Sequence, residues 1–198
     1  MEADDVREAW EANAAAWTRH SRAGYDVYRD ALNAPAFLAA LPTVRGLRGL
    51  DVGCGEGSNT RQLARLGASM RAIDIAPTFI QHAQEAEQVE PLGIVYDLAD
   101  ATSLPFENET FDFATAFMSL MDMPDQGAAL REAQRVLRPG AFLQFSILQW
   151  VEMITSAGLA IEQFVEPCAS LELADREPVV ADTRIAPMSL IARVKRPI

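Results

Sequence analysis

Apolar positions recur along this chain with two alternating periods. In the first 40 residues Val6, Trp10, Ala14 and Trp17 fall four, four and three apart, the spacing of one helical face, and two tryptophans on that face predict that it packs against something. From Gly46 onward short apolar runs alternate with helical patterns. LRGLDV, SMRAIDI, GIVYDL, FDFATAFM and AFLQFSIL read as strands. Between them SNTRQLARLG reads as a helix stopped at Gly67, and a second helix opens at Pro77 with Phe79, Ile80 and Ala83 inward. DQGAALREAQRVLRPG reads as a third, with Leu130, Ala133, Val136 and Leu137 on one face and Pro139-Gly140 ending it. Strand and helix alternating at this pitch predict an α/β fold with a doubly wound, mostly parallel sheet and helices on both faces. The end of the chain differs. VEMITSAG is a helical pattern leading into LAIEQFVEP, and MSLIARVKR reads as a final strand; no comparably clear helix separates the last two, which predicts an antiparallel C-terminal edge.

Composition narrows the field. The 198 residues suit one α/β domain, and 49% hydrophobic with 23% charged residues is ordinary for a globular protein. No internal repeat interrupts that reading. Met1–Trp10 is polar and acidic, unlike a secretory signal, and no apolar run approaches the roughly 20 residues of a membrane span, so a cytoplasmic protein without membrane contact is expected. A net charge of -11 repels nucleic acid and anionic lipid and leaves a neutral or cationic small molecule as the expected partner. Cys54 and Cys168 have neither disulfide-framework nor metal-ligand spacing and read as reduced thiols, with no metal.

Chemistry enters at GLDVGCGEGSNTRQLA, where four glycines fall within nine residues between a strand and a helix. Such a turn is where a doubly wound sheet binds nucleotide-like ligands. The dinucleotide fingerprint wants glycines at positions 1, 3 and 6; Gly53 and Gly55 fit, but the sixth position is Ser58 and Gly57 comes one residue early. Asp74 ends the second strand, where an acidic side chain accepts from ribose hydroxyls. Asp100, just past the third strand at the lip of the same crevice, separates this pattern from that of nicotinamide-dependent oxidoreductases.

The ordered succession LDVGCGEG, AIDIAP, DLADATSLPFENETFDFATA and EAQRVLRPGAFLQFSI resembles the class I S-adenosylmethionine-dependent methyltransferases. Within them it resembles most the small-molecule branch that contains the ubiquinone- and menaquinone-biosynthesis enzymes, over about Gly46 to Ile147. The resemblance implies a Rossmann-like sheet and a single domain: residues 1–45 as a helical lid, 46–147 as the cofactor-binding core, and 148–198 as a C-terminal helix with edge strands. It also implies that S-adenosylmethionine is the cofactor and S-adenosylhomocysteine the product. Gly53, Cys54, Gly55 and Gly57 would form the turn beside the methionine portion, and Asp51 would face its ammonium side. Asp74 would take the ribose hydroxyls, Ile75 would pack on the adenine, Asp100 and the backbone of Ala101 would meet its edge, and Phe117 would lie below the sulfonium.

Displacement at a sulfonium needs chiefly alignment, and a general base only when the nucleophile must lose a proton. His20 in the lid and Asp122 after the fourth strand are the catalytic candidates, while His82 falls on the wet face of its helix. Trp10, Trp17, Tyr25 and Tyr28 either line an acceptor pocket under the lid or simply pack the lid on the sheet. Against the family, Leu148–Trp150 run almost directly into VEMITSAG, where members carry a further segment that closes over the acceptor. Either the acceptor side is open through a deletion or a stretch is missing from this sequence; the second reading is favoured, and an intact mass well above 21.7 kDa would establish it. Methyl transfer to a small-molecule acceptor is the function expected, with a catalytically inactive cofactor-binding or regulatory module as the alternative. Acceptor identity and oligomeric state are not encoded in any readable pattern.

Overall fold

The computed structural model describes residues 3–147, 158–165, 167, 169–177 and 190–197. Helix α1 (Ala3–Arg22) is followed by a π-helical turn (Tyr28–Asn33) that runs into α2 (Ala34–Ala39). The alternating core follows: β1 (Arg48–Val52), α3 (Ser58–Arg65), β2 (Ser69–Asp74), α4 (Pro77–Val89), β3 (Val95–Leu98), β4 (Phe111–Ala116), α5 (Gln126–Val136) and β5 (Leu137–Ile147). β6 (Ala160–Val165), α6 (Leu171–Arg176) and β7 (Leu190–Lys195) complete the described elements. No described helix is long and apolar enough to cross a membrane.

The seven strands form one sheet in the order β3-β2-β1-β4-β5-β7-β6. β1 to β5 pair in parallel, and β7 runs antiparallel to both β5 and β6. The doubly wound sheet with an antiparallel C-terminal edge is therefore observed as the patterning predicts. Its two faces carry separate cores. Leu50, Val52, Ala114 and Phe145 pack with Leu130, Ala133 and Val136 of α5. Met70, Ala72 and Phe113 pack on the other side with Leu63 of α3 and Ile80 and Ala83 of α4. Parallel pairing carries the ends of β1, β2 and β4 to one edge, which is where a ligand of such a sheet sits.

α1 lies across that edge as a roof fastened to α4. Ala76, at the N-cap of α4, has no side chain to cap the helix. Glu11 of α1 does so instead: its carboxylate accepts from Thr78 N at 2.9 Å and Thr78 Oγ1 at 2.5 Å, and those bonds hold it below its ordinary pKa. Trp10 packs on Phe79, ring centroids 6.0 Å apart.

Four expectations are corrected. Trp17 stays 39% exposed, so the predicted apolar face of α1 is only partly covered. His82 is half-buried rather than wet: its Nδ1 lies 2.9 Å from Thr18 Oγ1, and its carbonyl accepts from Arg22. The third helix ends at Val136 rather than at Pro139-Gly140, because the residue before a proline avoids the helical region and Leu137 already turns extended to open β5. A short helix, α6, does stand between the last two strands; Ser170 caps it by accepting from Leu173 N. The helix read into VEMITSAG, the short connection at Leu148–Trp150 and Cys168 lie outside the described residues.

Candidate functional site

β1 ends at Val52, and the chain turns through Gly53, Gly55 and Gly57 at φ of 72°, 56° and 87° before α3 begins at Ser58. All three angles lie in the left-handed region that disfavours a Cβ. The spatial demands differ. A Cβ on Gly57 would come within 2.7 Å of Tyr96 Oη, so Gly57 is fixed by packing against β3 and stands behind the crevice. A Cβ on Gly55 would meet nothing within 4 Å, so Gly55 borders open space. That bare edge is the cradle.

Asp74, at the tip of β2, holds the cradle in shape. One carboxylate oxygen accepts from Gly55 N at 2.8 Å and the other from Ala76 N at 2.9 Å. Asp51, at the tip of β1, is 2% exposed and accepts from Thr60 Oγ1 at 2.5 Å and Thr115 Oγ1 at 2.7 Å, its two oxygens divided between α3 and β4. Burial pushes both carboxyls above their ordinary pKa, while their hydrogen bonds pull the other way; the charge of Asp74 adds to the rise at Asp51. Burial, with the charges of Asp74 and Asp51 beside it, likewise raises the Cys54 thiol well above its ordinary value.

These residues border a crevice of about 250 Å³. Of the predicted cofactor residues, Asp51, Gly53, Cys54, Gly55, Asp74, Ile75, Asp100, Ala101 and Phe117 line it, and so does Asp122. Asp100 uses one oxygen to accept from Thr102 N and Oγ1, both at 2.8 Å, which fixes the loop after β3. Phe117 packs on Phe37, ring centroids 5.0 Å apart, on the opposite wall. His20 is not brought to the crevice; it lines a neighbouring cavity.

The loop after β4 forms the far wall. Met118 sits at φ 54°, a strained position for a side chain of that size, and its N–H donates to buried Ser146 Oγ at 2.6 Å. Asp122 follows on a single 3₁₀ turn beside Met121 and Met123. Its side chain is exposed at the crevice rim, where partial desolvation raises the carboxyl above the ordinary range, and no hydrogen bond or ion pair holds it among the described residues.

Three lining residues escape a sequence reading. Glu56, inside the glycine turn, is 6% exposed and accepts from Ser21 Oγ at 2.8 Å and Ser58 Oγ at 2.6 Å. An acid amid the glycines was the available signal. Asn59 Nδ2 is buried on the crevice wall without a hydrogen-bond partner among the described residues, and Ser119 Oγ donates to the Val52 carbonyl. A bare cradle, an orphaned amide donor and carboxylates near both ends of the crevice fit a nucleoside carrying an amino-acid tail. S-adenosylmethionine is such a molecule.

Comparison with known proteins finds methyltransferases. A family model described as "Methyltransferase domain" matches residues 50–145. The chain is 34% identical over 143 residues to "Methyltransferase GfsG" of Streptomyces halstedii, covering 69% of this chain and 51% of that one. It is 34% identical over 113 residues to a "Ubiquinone biosynthesis O-methyltransferase" of Xanthomonas oryzae pv. oryzae, covering 57% and 47%. The chain thus spans about half the length of the curated relatives it matches. Among solved structures, an S-adenosylmethionine-dependent methyltransferase from Mesorhizobium loti superposes with a TM-score of 0.75 at 24% identity, over 82% of this chain and 96% of that one.

Proposed function

Because residues 50–145 make this chain a member of the class I S-adenosylmethionine-dependent methyltransferase family, we propose that it transfers a methyl group to a small-molecule acceptor. The observation that carries the reading is the Gly55 edge, left bare toward the crevice and held by a buried carboxylate. Bound there, S-adenosylmethionine supplies an activated methyl on a sulfonium. The chain's part is placement. Gly53–Gly55 and Asp51 would hold the amino-acid end, with Asn59 Nδ2 as an added donor. Asp74 and Asp100 would accept from the ribose and the adenine edge, against Ile75 and Ala101. Phe117 and the Met118–Met123 loop exclude water from the reacting end, and alignment there supplies much of the rate.

Of the two candidate bases, Asp122 stands on the crevice wall and His20 does not. We assign Asp122 the removal of a proton from the acceptor when the nucleophile is a hydroxyl. The net charge of -11 supports a neutral or cationic acceptor over a nucleic acid.

The test is calorimetric titration with S-adenosylmethionine and S-adenosylhomocysteine, with NADH as control, followed by assay of S-adenosylhomocysteine release across an acceptor library. Binding of both sulfur ligands and not NADH is expected, with Asp74→Ala weakening it about 100-fold or more. A folded protein that binds neither overturns the reading. Tight binding without turnover on any acceptor points instead to a cofactor-binding module.

A further inference from the structure

Six acids line the crevice, Asp30, Asp51, Glu56, Asp74, Asp100 and Asp122, and among the described lining residues there is a single cation, Arg29. That balance attracts the sulfonium and ammonium of S-adenosylmethionine and repels its carboxylate. The Asn59 amide offers that carboxylate a neutral donor. Only Arg29 offers it an opposite charge.

Local structure places Arg29 there. It lies in the π-helical turn Tyr28–Asn33, and the bond that closes the turn runs from Ala34 N to the Arg29 carbonyl. Such an i→i+5 bond stacks residues five apart, which an α-helix would set about 140° apart, so Arg29 and Ala34 line the crevice together. Asp26 fixes the start of the turn, its Oδ1 accepting from Arg29 N at 2.9 Å, and Leu32 anchors it on Ala169 and Leu173.

The guanidinium is held with donors to spare. The side chain is only 14% exposed, and its Nε donates to Asp30 Oδ1 at 2.8 Å, which fixes its orientation. Nη1 and Nη2 make no hydrogen bond among the described residues. A planar pair of charged donors matches the two oxygens of a carboxylate, and leaving such a pair largely desolvated is unfavourable unless a ligand engages it.

We propose that Arg29 binds the carboxylate at the amino-acid end of the cofactor, and that it sets the crevice to take nucleosides carrying an amino acid over those carrying an amine alone. The proposal rests on the cofactor assignment made above. It makes Arg29 a binding and specificity residue and gives it no part in proton transfer.

Two ligands isolate the carboxylate: S-adenosylhomocysteine, and 5′-deoxy-5′-(3-aminopropylthio)adenosine, which has the same nucleoside, thioether and amine but no carboxylate. Both are titrated calorimetrically into the full chain. The unaltered chain is expected to bind S-adenosylhomocysteine at least about tenfold more tightly. Arg29→Met is expected to weaken S-adenosylhomocysteine about 10- to 150-fold while the amine probe stays within about twofold or tightens, which also reports an intact crevice. Arg29→Lys keeps the charge without the fork and is expected to weaken S-adenosylhomocysteine about three- to tenfold, again without loss of the amine probe. Equal affinity of the unaltered chain for the two ligands, unchanged S-adenosylhomocysteine binding in Arg29→Met, or a parallel loss of both ligands in Arg29→Lys overturns the proposal and leaves the cofactor assignment standing. If Arg29→Met binds neither ligand, Arg29→Lys decides by the same criterion. An unaltered chain that binds neither ligand overturns the cofactor assignment, and the role of Arg29 falls with it.

Discussion

Ser21 and Glu56 tie the roof helix to the glycine turn through one hydrogen bond of 2.8 Å, and both residues are less than a tenth exposed. A hydrogen bond to a buried carboxylate contributes about 1.5 to 3 kcal/mol. Arg22, 3.9 Å from the other Glu56 oxygen with its own side chain 45% exposed, adds little. Ser58 also donates to Glu56, so Glu56→Ala breaks two bonds and its effect alone mixes the latch with the local turn. The cycle of Ser21→Ala, Glu56→Ala and the double variant isolates the latch, and its coupling energy is expected at about 1.5 to 3 kcal/mol. Expressed as local opening, that is about a 10- to 150-fold rise in amide exchange across residues 3–22 on Ser21→Ala, while β1 and β4 exchange as before. Hydrogen exchange read by mass spectrometry resolves this, and urea unfolding supplies the cycle. A coupling energy under about 0.5 kcal/mol, or unchanged exchange in α1, refutes the latch.

Three further outcomes follow. If Asp122 removes the acceptor's proton, kcat/KM falls as pH drops through a carboxyl raised above its ordinary value of 3.8, and Asp122→Asn abolishes that limb of the pH profile; an unaltered profile in the variant removes Asp122 from the mechanism. Gly57→Ala combines a left-handed backbone with a 2.7 Å approach to Tyr96 Oη and is expected to cost about 2 to 5 kcal/mol in urea unfolding, whereas Tyr96→Phe deletes a buried hydroxyl that has no partner among the described residues and is expected to stabilise by about 1 kcal/mol. Asp51 has a raised pKa in the fold, so its favourable contribution is full below its unfolded pKa and is lost as pH rises through the folded one; the stability of Asp51→Asn minus that of the unaltered chain should therefore shift in the variant's favour from about pH 4 to about pH 7, with weaker S-adenosylhomocysteine binding, and a shift the other way contradicts that sign.

The alternating core was legible because each strand carries its own apolar run and each helix its own face, so local pattern and tertiary burial agree. Leu137 shows where that agreement ends. It continues the helical face of Leu130 and Ala133, yet Pro139 two residues on converts it to the first residue of β5. The strand tips that border the crevice were legible too, since Asp51 and Asp74 stand at the ends of β1 and β2 and Asp100 just past β3, ends that parallel pairing carries to one edge. Contacts between distant segments were not. Glu11 capping α4 from α1, Ser21 reaching Glu56 and Thr18 meeting His82 join residues 35 to 67 apart, and no periodicity encodes such pairs. His20 was misplaced for the same reason: a position on α1 does not say which side of Trp17 its ring will take.

The place of β7 bears on how this chain comes off the ribosome. The strand latest in sequence lies between β5 and β6, pairing with β5 from Phe142 to Ile147 and with β6 from Ala160 to Val165. Its Ile191, Ala192 and Val194 are almost fully buried, so the sheet has a gap until those residues are made. At about 5 to 20 residues per second, the roughly 40 residues between β5 and β7 leave the outer edge of β5 unpaired for about 2 to 9 s. Once Ala160–Val165 has been made, β6 is the nearest strand able to occupy the vacancy, and any such pairing must be undone when β7 arrives. Nascent-chain quality control would meet this protein at that step, with a finished crevice and an open flank.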